Sequence, residues 1–271
     1  MKKVISLSPT KSGFGPLLYS GDLSLGLKRA GELGYDGVEL SLRDAKELDS
    51  KALQHQLSLY NLRVYGIATG QTYYNDGFSL FAEEGEKRLK ALERMKGHVD
   101  LAAQLGAAVI IGGIRGKIES LVDYDEIFSH GKEMIGEVCR YALDKKVMIL
   151  LEPINRYETN IINTLAEGMN IIRELGYANL RLLADTFHMN LEEVSYGQVL
   201  LEVGPCLGYV HFADSNRLAP GWGHTDFQGI YQTLCEIGFD GPVGIEVLPK
   251  PGDDEAAKQG IKFLNHLLKN N

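Results

Sequence analysis

Four side chains of the kinds that bind metal ions each stand at the end of a short apolar run. They are Glu152 after VMILL, Asp185 after LRLLA, His211 after GYV and Glu246 after PVGI. They follow one another at intervals of roughly 30 residues, the length of a repeating strand–helix unit. In a barrel of parallel strands the C-terminal strand ends meet at one mouth, so these side chains would converge there. Three carboxylates and one imidazole would repel one another unless a divalent cation lay between them, and the pattern therefore predicts a metal site.

The composition of this set indicates which ion it would bind. Three carboxylates with one nitrogen donor suit a hard or borderline cation such as Mn²⁺, Mg²⁺ or Co²⁺. Zinc sites usually contain more nitrogen and sulfur, so zinc is an alternative that the donor set favours less. Any one of these residues could instead form an ordinary salt bridge at a strand end. Their recurrence after four successive apolar runs favours the metal site.

Polar residues that follow the same run ends are candidate substrate contacts. Glu158 and His188 come a few residues after the first two ligand candidates, and Arg217 follows the third. His188 lies one helical turn beyond Asp185, where a substrate hydroxyl would be within reach. The alternative for His188 is capping or packing within a loop, and for Arg217 it is an ordinary surface position.

Two glycine-rich segments, 69–85 and 214–227, are also candidates for contact with a substrate. Both contain several aromatic residues, and loops of this kind at a barrel mouth usually cover or bind the substrate. Gln71 lies in the first of them. In the separate turn GGIRGK, Arg115 is free to present its guanidinium to a carboxylate, which favours an acidic substrate. The alternative is a structural arginine that bridges its loop to an acidic neighbour such as Glu119.

The elements that would position these side chains form a regular series. Several apolar runs show no alternation, as expected for strands covered on both faces. Longer segments with helical spacing separate them, and two of these end in Leu-Gly-Tyr, where glycine stops a helix. Eight strand–helix units predict an α/β fold with a single (β/α)8 barrel over 1–271, and a doubly wound open sheet is the alternative. The eight predicted strands are 4–8, 36–42, 63–69, 107–113, 147–152, 181–186, 208–214 and 242–247.

Composition excludes several other classes of protein. The chain has 271 residues with 28 basic and 36 acidic side chains, and this net charge of −8 is the opposite of a nucleic-acid binder's footprint. Its 3 cysteines form no close pair, which fits a reducing compartment rather than a disulfide framework. No apolar run is long enough to cross a membrane. We therefore expect a cytoplasmic protein that acts on a small molecule, with neither nucleic acid nor membrane as a partner.

Three long motifs carry a resemblance to a known family. The motifs EPINRYETNxxNT, ADTFHMNxEE and HFADSNRxxPGxGHxDF begin at positions 152, 184 and 211. They resemble the ketose 3-epimerase branch of the xylose-isomerase-like TIM barrels. The resemblance implies one divalent metal ion, usually manganese, and an active site at the C-terminal ends of the strands. It also implies a homodimer or homotetramer.

The same resemblance assigns roles to individual residues. The metal ligands of the family match Glu152, Asp185, His211 and Glu246. The two glutamates of this set also act as acid and base on opposite faces of the sugar. The family's substrate contacts match Glu158, His188 and Arg217.

The sequence around strand four suggests a particular substrate. Epimerases of neutral ketohexoses place a tryptophan after this strand, whereas this chain has Gly113 followed by Arg115. The segments IATGQTYYNDGFSL, with Gln71, and VIIGGIRG are more similar to the 5-keto-L-gluconate epimerases of sugar-acid catabolism. We therefore expect interconversion of 5-keto-L-gluconate and D-tagaturonate, with Arg115 and Gln71 among the substrate contacts.

The expected chemistry is inversion of the carbon beside a ketone. Removing a proton there requires stabilisation of the enediolate that forms, which a metal ion on the carbonyl and hydroxyl oxygens provides. Glu152 and Glu246 would remove the proton from one face and return it to the other. The alternatives are a 3-epimerase of neutral ketohexoses of the tagatose or psicose type, and an aldose–ketose isomerase such as hydroxypyruvate isomerase. An apurinic endonuclease needs more histidines, and a non-catalytic barrel would not need both glutamates.

Overall fold

Eight parallel strands close into a barrel in which each strand pairs with the next along the chain, and β1 pairs with β8. The computed structural model describes residues 1–11 and 15–269. The closure confirms the predicted (β/α)8 barrel, and the open-sheet alternative is wrong because no edge strand is left among the eight. The strands are β1 Lys2–Leu7, β2 Gly37–Ser41, β3 Arg63–Ala68, β4 Ala108–Ile111, β5 Ile149–Leu151, β6 Leu180–Asp185, β7 Leu207–Phe212 and β8 Pro242–Ile245.

Helices connect the strands and cover the outside of the barrel. Short 3₁₀ turns add to them at Ala45–Glu47, Gly113–Arg115 and Gly204–Cys206. The α-helices are α1 Leu23–Leu33, α2 Ser50–Leu59, α3 Gly70–Asp76, α4 Gly85–Leu105, α5 Tyr124–Leu143, α6 Leu165–Leu175, α7 Thr186–Glu192, α8 Tyr196–Val203, α9 Phe227–Glu236 and α10 Asp253–Lys269.

Two apolar clusters hold the layers together. The large one lies between the strands and the surrounding helices. The small one fills the inside of the barrel below the mouth, so the interior is packed and not an open channel. Its fully buried members are Val4, Ile110, Leu150, Leu183 and Tyr209. The candidate ligand Asp185 stands two residues after Leu183 on β6 and therefore lies above this layer, toward the mouth.

Glycines end the helices where the sequence predicts. Gly34, Gly106 and Gly176 cap their helices in the left-handed region, with φ of 84°, 67° and 68°. A β-carbon is disfavoured in this conformation, so glycine stops the helix and turns the chain toward the next strand. The strand predicted over 107–113 is shorter than expected because its last residues enter the turn Gly113–Arg115.

No helix within the two described ranges combines the length and the apolar character needed to cross a membrane.

Candidate metal centre and substrate pocket

The four predicted metal ligands meet at the C-terminal mouth of the barrel. One ligand atom from each lies within 4.8 Å of all the others. His211 Nδ1 is 3.3 Å from Glu152 Oε1 and 3.5 Å from Asp185 Oδ2. It is also 3.5 Å from Glu246 Oε2. Asp185 and His211 are direct neighbours in the register of β6 and β7, so strand pairing itself brings two of the ligands together.

The donor atoms of this cluster fit a divalent cation. Asp185 Oδ2 and His211 Nδ1 are buried and have no hydrogen-bond partner among the residues that the structure describes. Leaving such groups unsatisfied costs about 1–3 kcal/mol each, and a cation between them would remove that cost. An oxygen-rich set with one imidazole nitrogen matches Mn²⁺, Mg²⁺ or Co²⁺ better than zinc. The site is therefore a candidate metal centre by geometry and by chemistry.

Close packing fixes the carboxylate of Glu152 against the end of β4. A β-carbon added to Gly112 would lie 2.2 Å from Glu152 Oε2, closer than any side chain tolerates. Gly112 is thus required for the position of this carboxylate.

Arg217 binds two of the ligand carboxylates from the loop after β7. Its guanidinium donates to Asp185 Oδ1 at 2.9 Å and also to Glu246 Oε2. Its backbone has a φ of 63°, which is unusual for a residue other than glycine. The backbone N–H of Arg217 donates to the Asp214 carbonyl at 2.8 Å, and its own carbonyl accepts from the Leu248 N–H at 2.9 Å. The loop therefore holds a strained residue where its side chain reaches the metal centre.

Asp214 organises that loop. This buried carboxylate accepts hydrogen bonds from the backbone N–H groups of Ser215, Gly221 and Thr225, at 2.8–3.0 Å. Those bonds hold the pKa of Asp214 below its ordinary value although burial opposes the shift. Asp214 is thus a loop anchor behind the site.

Burial and close contact shift the pKa values of several side chains in the centre. Burial raises the pKa of Glu246 to about 8, although His211 and Arg217 oppose the shift. The pKa of Asp185 is lowered: burial opposes this, but Arg217 and His211 outweigh it. Burial also opposes the raised pKa of His211, which the surrounding carboxylates cause. The pKa values of two carboxyl groups of one cluster are thus pushed in opposite directions.

A pocket of about 300 Å³ opens beside the metal centre. Glu152 and Glu246 line it, whereas Asp185 and His211 do not. Its volume suits a small molecule of monosaccharide size. Part of its wall is apolar, formed by Leu17, Ile154, Phe187 and Leu248.

The predicted contacts Glu158 and His188 line this pocket and are linked through Asn155. Asn155 Nδ2 donates to Glu158 Oε1 at 2.8 Å and lies 2.8 Å from His188 Nδ1. Since the amide nitrogen donates, His188 Nδ1 accepts and its Nε2 carries the proton. Burial lowers the pKa of His188, which favours this neutral form. His188 can therefore donate one hydrogen bond from Nε2 while Glu158 offers an acceptor.

Gln71 also lines the pocket, but its amide nitrogen is already bonded to the protein. It donates to Ser8 Oγ at 2.8 Å and to the Ser41 carbonyl at 2.9 Å. These bonds join α3 to the C-terminal ends of β1 and β2. Its predicted contact with substrate stays a prediction.

Arg115 does not face the pocket, and the prediction that it binds a substrate carboxylate is wrong. The side chain is 1% exposed. The guanidinium donates to four backbone carbonyls, those of Gly112, Glu152, Ile161 and Ile162. Arg115 is therefore a structural arginine, as the alternative interpretation proposed. The partners of its guanidinium are backbone carbonyls and not Glu119.

Tyr74 takes the space that the glycines after β4 leave open. A β-carbon on Gly113 would lie 2.8 Å from Tyr74 Cε2 and 3.1 Å from Gly70 Cα. Tyr74 thus packs over the glycine turn and forms part of the pocket wall.

A closed parallel barrel with a carboxylate–histidine centre at its mouth is the architecture of metal-assisted enzymes. The chain belongs to the xylose isomerase-like TIM barrel family, whose sequence profile matches residues 27–267. The resemblance carried by the three sequence motifs is thereby confirmed at the level of the family.

Several named proteins are similar to this chain. An L-ribulose 3-epimerase of Methylomonas sp. is 32% identical, over 85% of this chain and 82% of its own length. A ketose 3-epimerase of Arthrobacter globiformis is 30% identical, over 81% of this chain and 75% of its own. A crystal structure of D-allulose 3-epimerase from Methylomonas sp. superposes with a TM-score of 0.85 at 25% identity, covering 98% of both chains. The chain is an isomerase of the epimerase class.

Proposed function

We propose that the protein inverts carbon 3 of a neutral ketose, with one divalent cation, Mn²⁺, held by the four-residue centre. The observation that carries this proposal is that two of the four ligand candidates line the pocket and two do not. Glu152 and Glu246 line the pocket, while Asp185 and His211 lie behind them. Two carboxylates that face one substrate supply the base and the acid that an inversion requires.

The charges around the pocket support a neutral substrate over the expected sugar acid. Among its described lining residues, Arg217 is the one permanent cation, and it is already paired with Asp185 and Glu246. Arg115 is bonded to carbonyls, and the pocket also carries Glu158. A substrate carboxylate would thus lack a free partner and would meet further carboxylates. The relatives named for ribulose, for ketoses and for allulose agree with a neutral substrate.

We assign each step of the inversion to a residue of the pocket. When bound, a divalent cation supplies Lewis-acid stabilisation of the negative charge that develops on the ketone oxygen. One of Glu152 and Glu246 removes the proton from carbon 3, and the other returns a proton to the opposite face. The roles exchange with the direction of the reaction. His188 donates to a substrate oxygen, and Glu158 accepts from a hydroxyl.

The test is incubation of the Mn²⁺-loaded protein in D₂O with L-ribulose, D-psicose and D-tagaturonate, followed by proton NMR. We expect the 3-epimer of a neutral ketose to form and deuterium to enter at carbon 3. Faster reaction of D-tagaturonate than of the neutral ketoses would show that the substrate is a sugar acid and would overturn the neutral-ketose assignment. Aldose products would identify an aldose–ketose isomerase instead.

A further inference from the structure

A fourth carboxylate lies directly beneath the three of the candidate metal centre, inside the barrel. Glu39 on β2 is 0% exposed and is not one of the four ligand candidates. Its Oε2 lies 2.8 Å from His211 Nε2, the ring nitrogen that faces away from the other three carboxylates. A carboxylate sealed in a barrel interior is costly unless it is bound on several sides, so its surroundings indicate its role.

Glu39 is held in place by its neighbours. Ser6 Oγ donates to Glu39 Oε1 at 3.0 Å, and both residues are fully buried. The two face each other in the register of β1 and β2. A β-carbon on Gly66 of β3 would come within 3.2 Å of Glu39 Oε2, so a glycine leaves the room that the carboxylate occupies. Three adjacent strands thus fix the position of this group.

The ring of His211 is confined on its other sides by apolar contacts. The Tyr209 ring lies edge-on to it, with centroids 5.3 Å apart and an interplanar angle of 83°. A β-carbon on Gly244 would be 3.0 Å from His211 Cδ2. Glu39 is therefore the polar partner that can set the rotation and the tautomer of the ring. An ionised carboxylate only accepts hydrogen bonds, so Nε2 must carry the proton and Nδ1 is left to bind a cation.

We propose that Glu39, supported by Ser6, is a positioning residue of the metal centre that orients His211 and directs its Nδ1 toward the cation. The inference rests on the metal centre of the proposed function and names the residues behind it. Partners of this kind behind a ligand histidine typically change metal affinity about 10- to 100-fold when they are replaced.

The experiment compares Mn²⁺ affinity, measured by titration calorimetry, in the wild type and in Glu39→Gln. The glutamine keeps the size of the side chain and removes its charge. We expect Mn²⁺ to bind about 10- to 100-fold more weakly to Glu39→Gln. The matched control is Asp36→Asn, which removes one charge at the opposite end of β2, where Asp36 accepts from the Lys3 N–H at 2.7 Å. This control should bind Mn²⁺ as the wild type does. Thermal unfolding of each metal-free variant shows that the barrel remains folded.

Ser6→Ala provides a second variant in case Glu39→Gln does not fold. It leaves the carboxylate in place without its support and should weaken Mn²⁺ binding by a smaller factor. Unchanged affinity in Glu39→Gln, or an equal loss in Asp36→Asn, overturns the positioning role and leaves the proposed function intact. A wild-type protein that binds no divalent cation overturns the metal centre and this inference together.

Discussion

At the scale of single residues, the glutamates of the metal centre are the most direct test of the chemistry. Glu152→Gln and Glu246→Gln should each lower kcat by about 10²- to 10⁴-fold, because each removes one partner of the proton transfer. The rates should be measured at saturating Mn²⁺, since both residues are also ligand candidates. Glu158→Gln is the control: it changes a pocket residue outside the cluster and should act mainly on KM. More than a tenth of wild-type kcat in either of the first two variants would refute the two-base mechanism.

Arg115 leads to a prediction that separates a structural role from substrate binding. Arg115→Met leaves the carbonyls of Glu152 and Ile161 without this donor, whereas the Ile162 carbonyl still accepts from the Ile154 N–H. Since each unsatisfied carbonyl costs about 1–3 kcal/mol, the free energy of unfolding should fall by at least about 2 kcal/mol. Urea unfolding measures this loss. Activity on a neutral ketose and on a sugar acid should decrease by the same factor, whereas a KM increase confined to the sugar acid would restore the substrate role.

At the scale of the elements, the strand ends explain what could be predicted from the sequence. The metal ligands follow continuous apolar runs, and a parallel barrel brings every such end to one mouth, so local pattern was sufficient. Glu39 stands within a strand, and whether it faces the barrel interior depends on register and on the room left at Gly66. The role of Arg115 cannot be predicted from its sequence neighbours, because three of its four carbonyl partners lie 37–47 residues further along the chain. Such long-range backbone contacts leave no pattern near the arginine itself.

Helix α4 contains a buried histidine that should make stability depend on pH. Neither ring nitrogen of His98 has a hydrogen-bond partner in the described part of the chain, and burial lowers its pKa to about 4, although Asp44 opposes the shift. Between pH 6.5 and pH 4, His98 is therefore protonated in the unfolded chain but stays neutral in the folded protein. The contribution of neutral His98 to the free energy of unfolding is thus fully present above pH 6.5. About 3 kcal/mol of it is lost as the pH falls toward 4.

The change that tests this is His98→Leu, followed by urea unfolding between pH 7 and pH 4.5. The variant should lose less stability than the wild type over that range, because the buried site no longer resists protonation. His55→Gln removes an exposed histidine of α2 and should behave as the wild type. Parallel pH profiles for the wild type and His98→Leu would show that His98 does not titrate in this way.

At the scale of the whole molecule, the candidate ligands come from one half of the barrel, from β5 to the residue after β8. These ligands lie near one another only in the folded barrel. A bound cation therefore stabilises the folded protein and not the unfolded chain. At 100 times its dissociation constant, Mn²⁺ should add about 2.7 kcal/mol to the free energy of unfolding. For a chain of this size the corresponding rise in Tm is about 5 °C or more, measurable by calorimetry with Mn²⁺ or with a chelator. Asp185→Asn, which removes one ligand charge, should abolish most of this rise. An equal rise in Tm in that variant would mean that the ion binds elsewhere on the acidic surface. The stabilisation by Mn²⁺ would then not come from the centre at the mouth of the barrel.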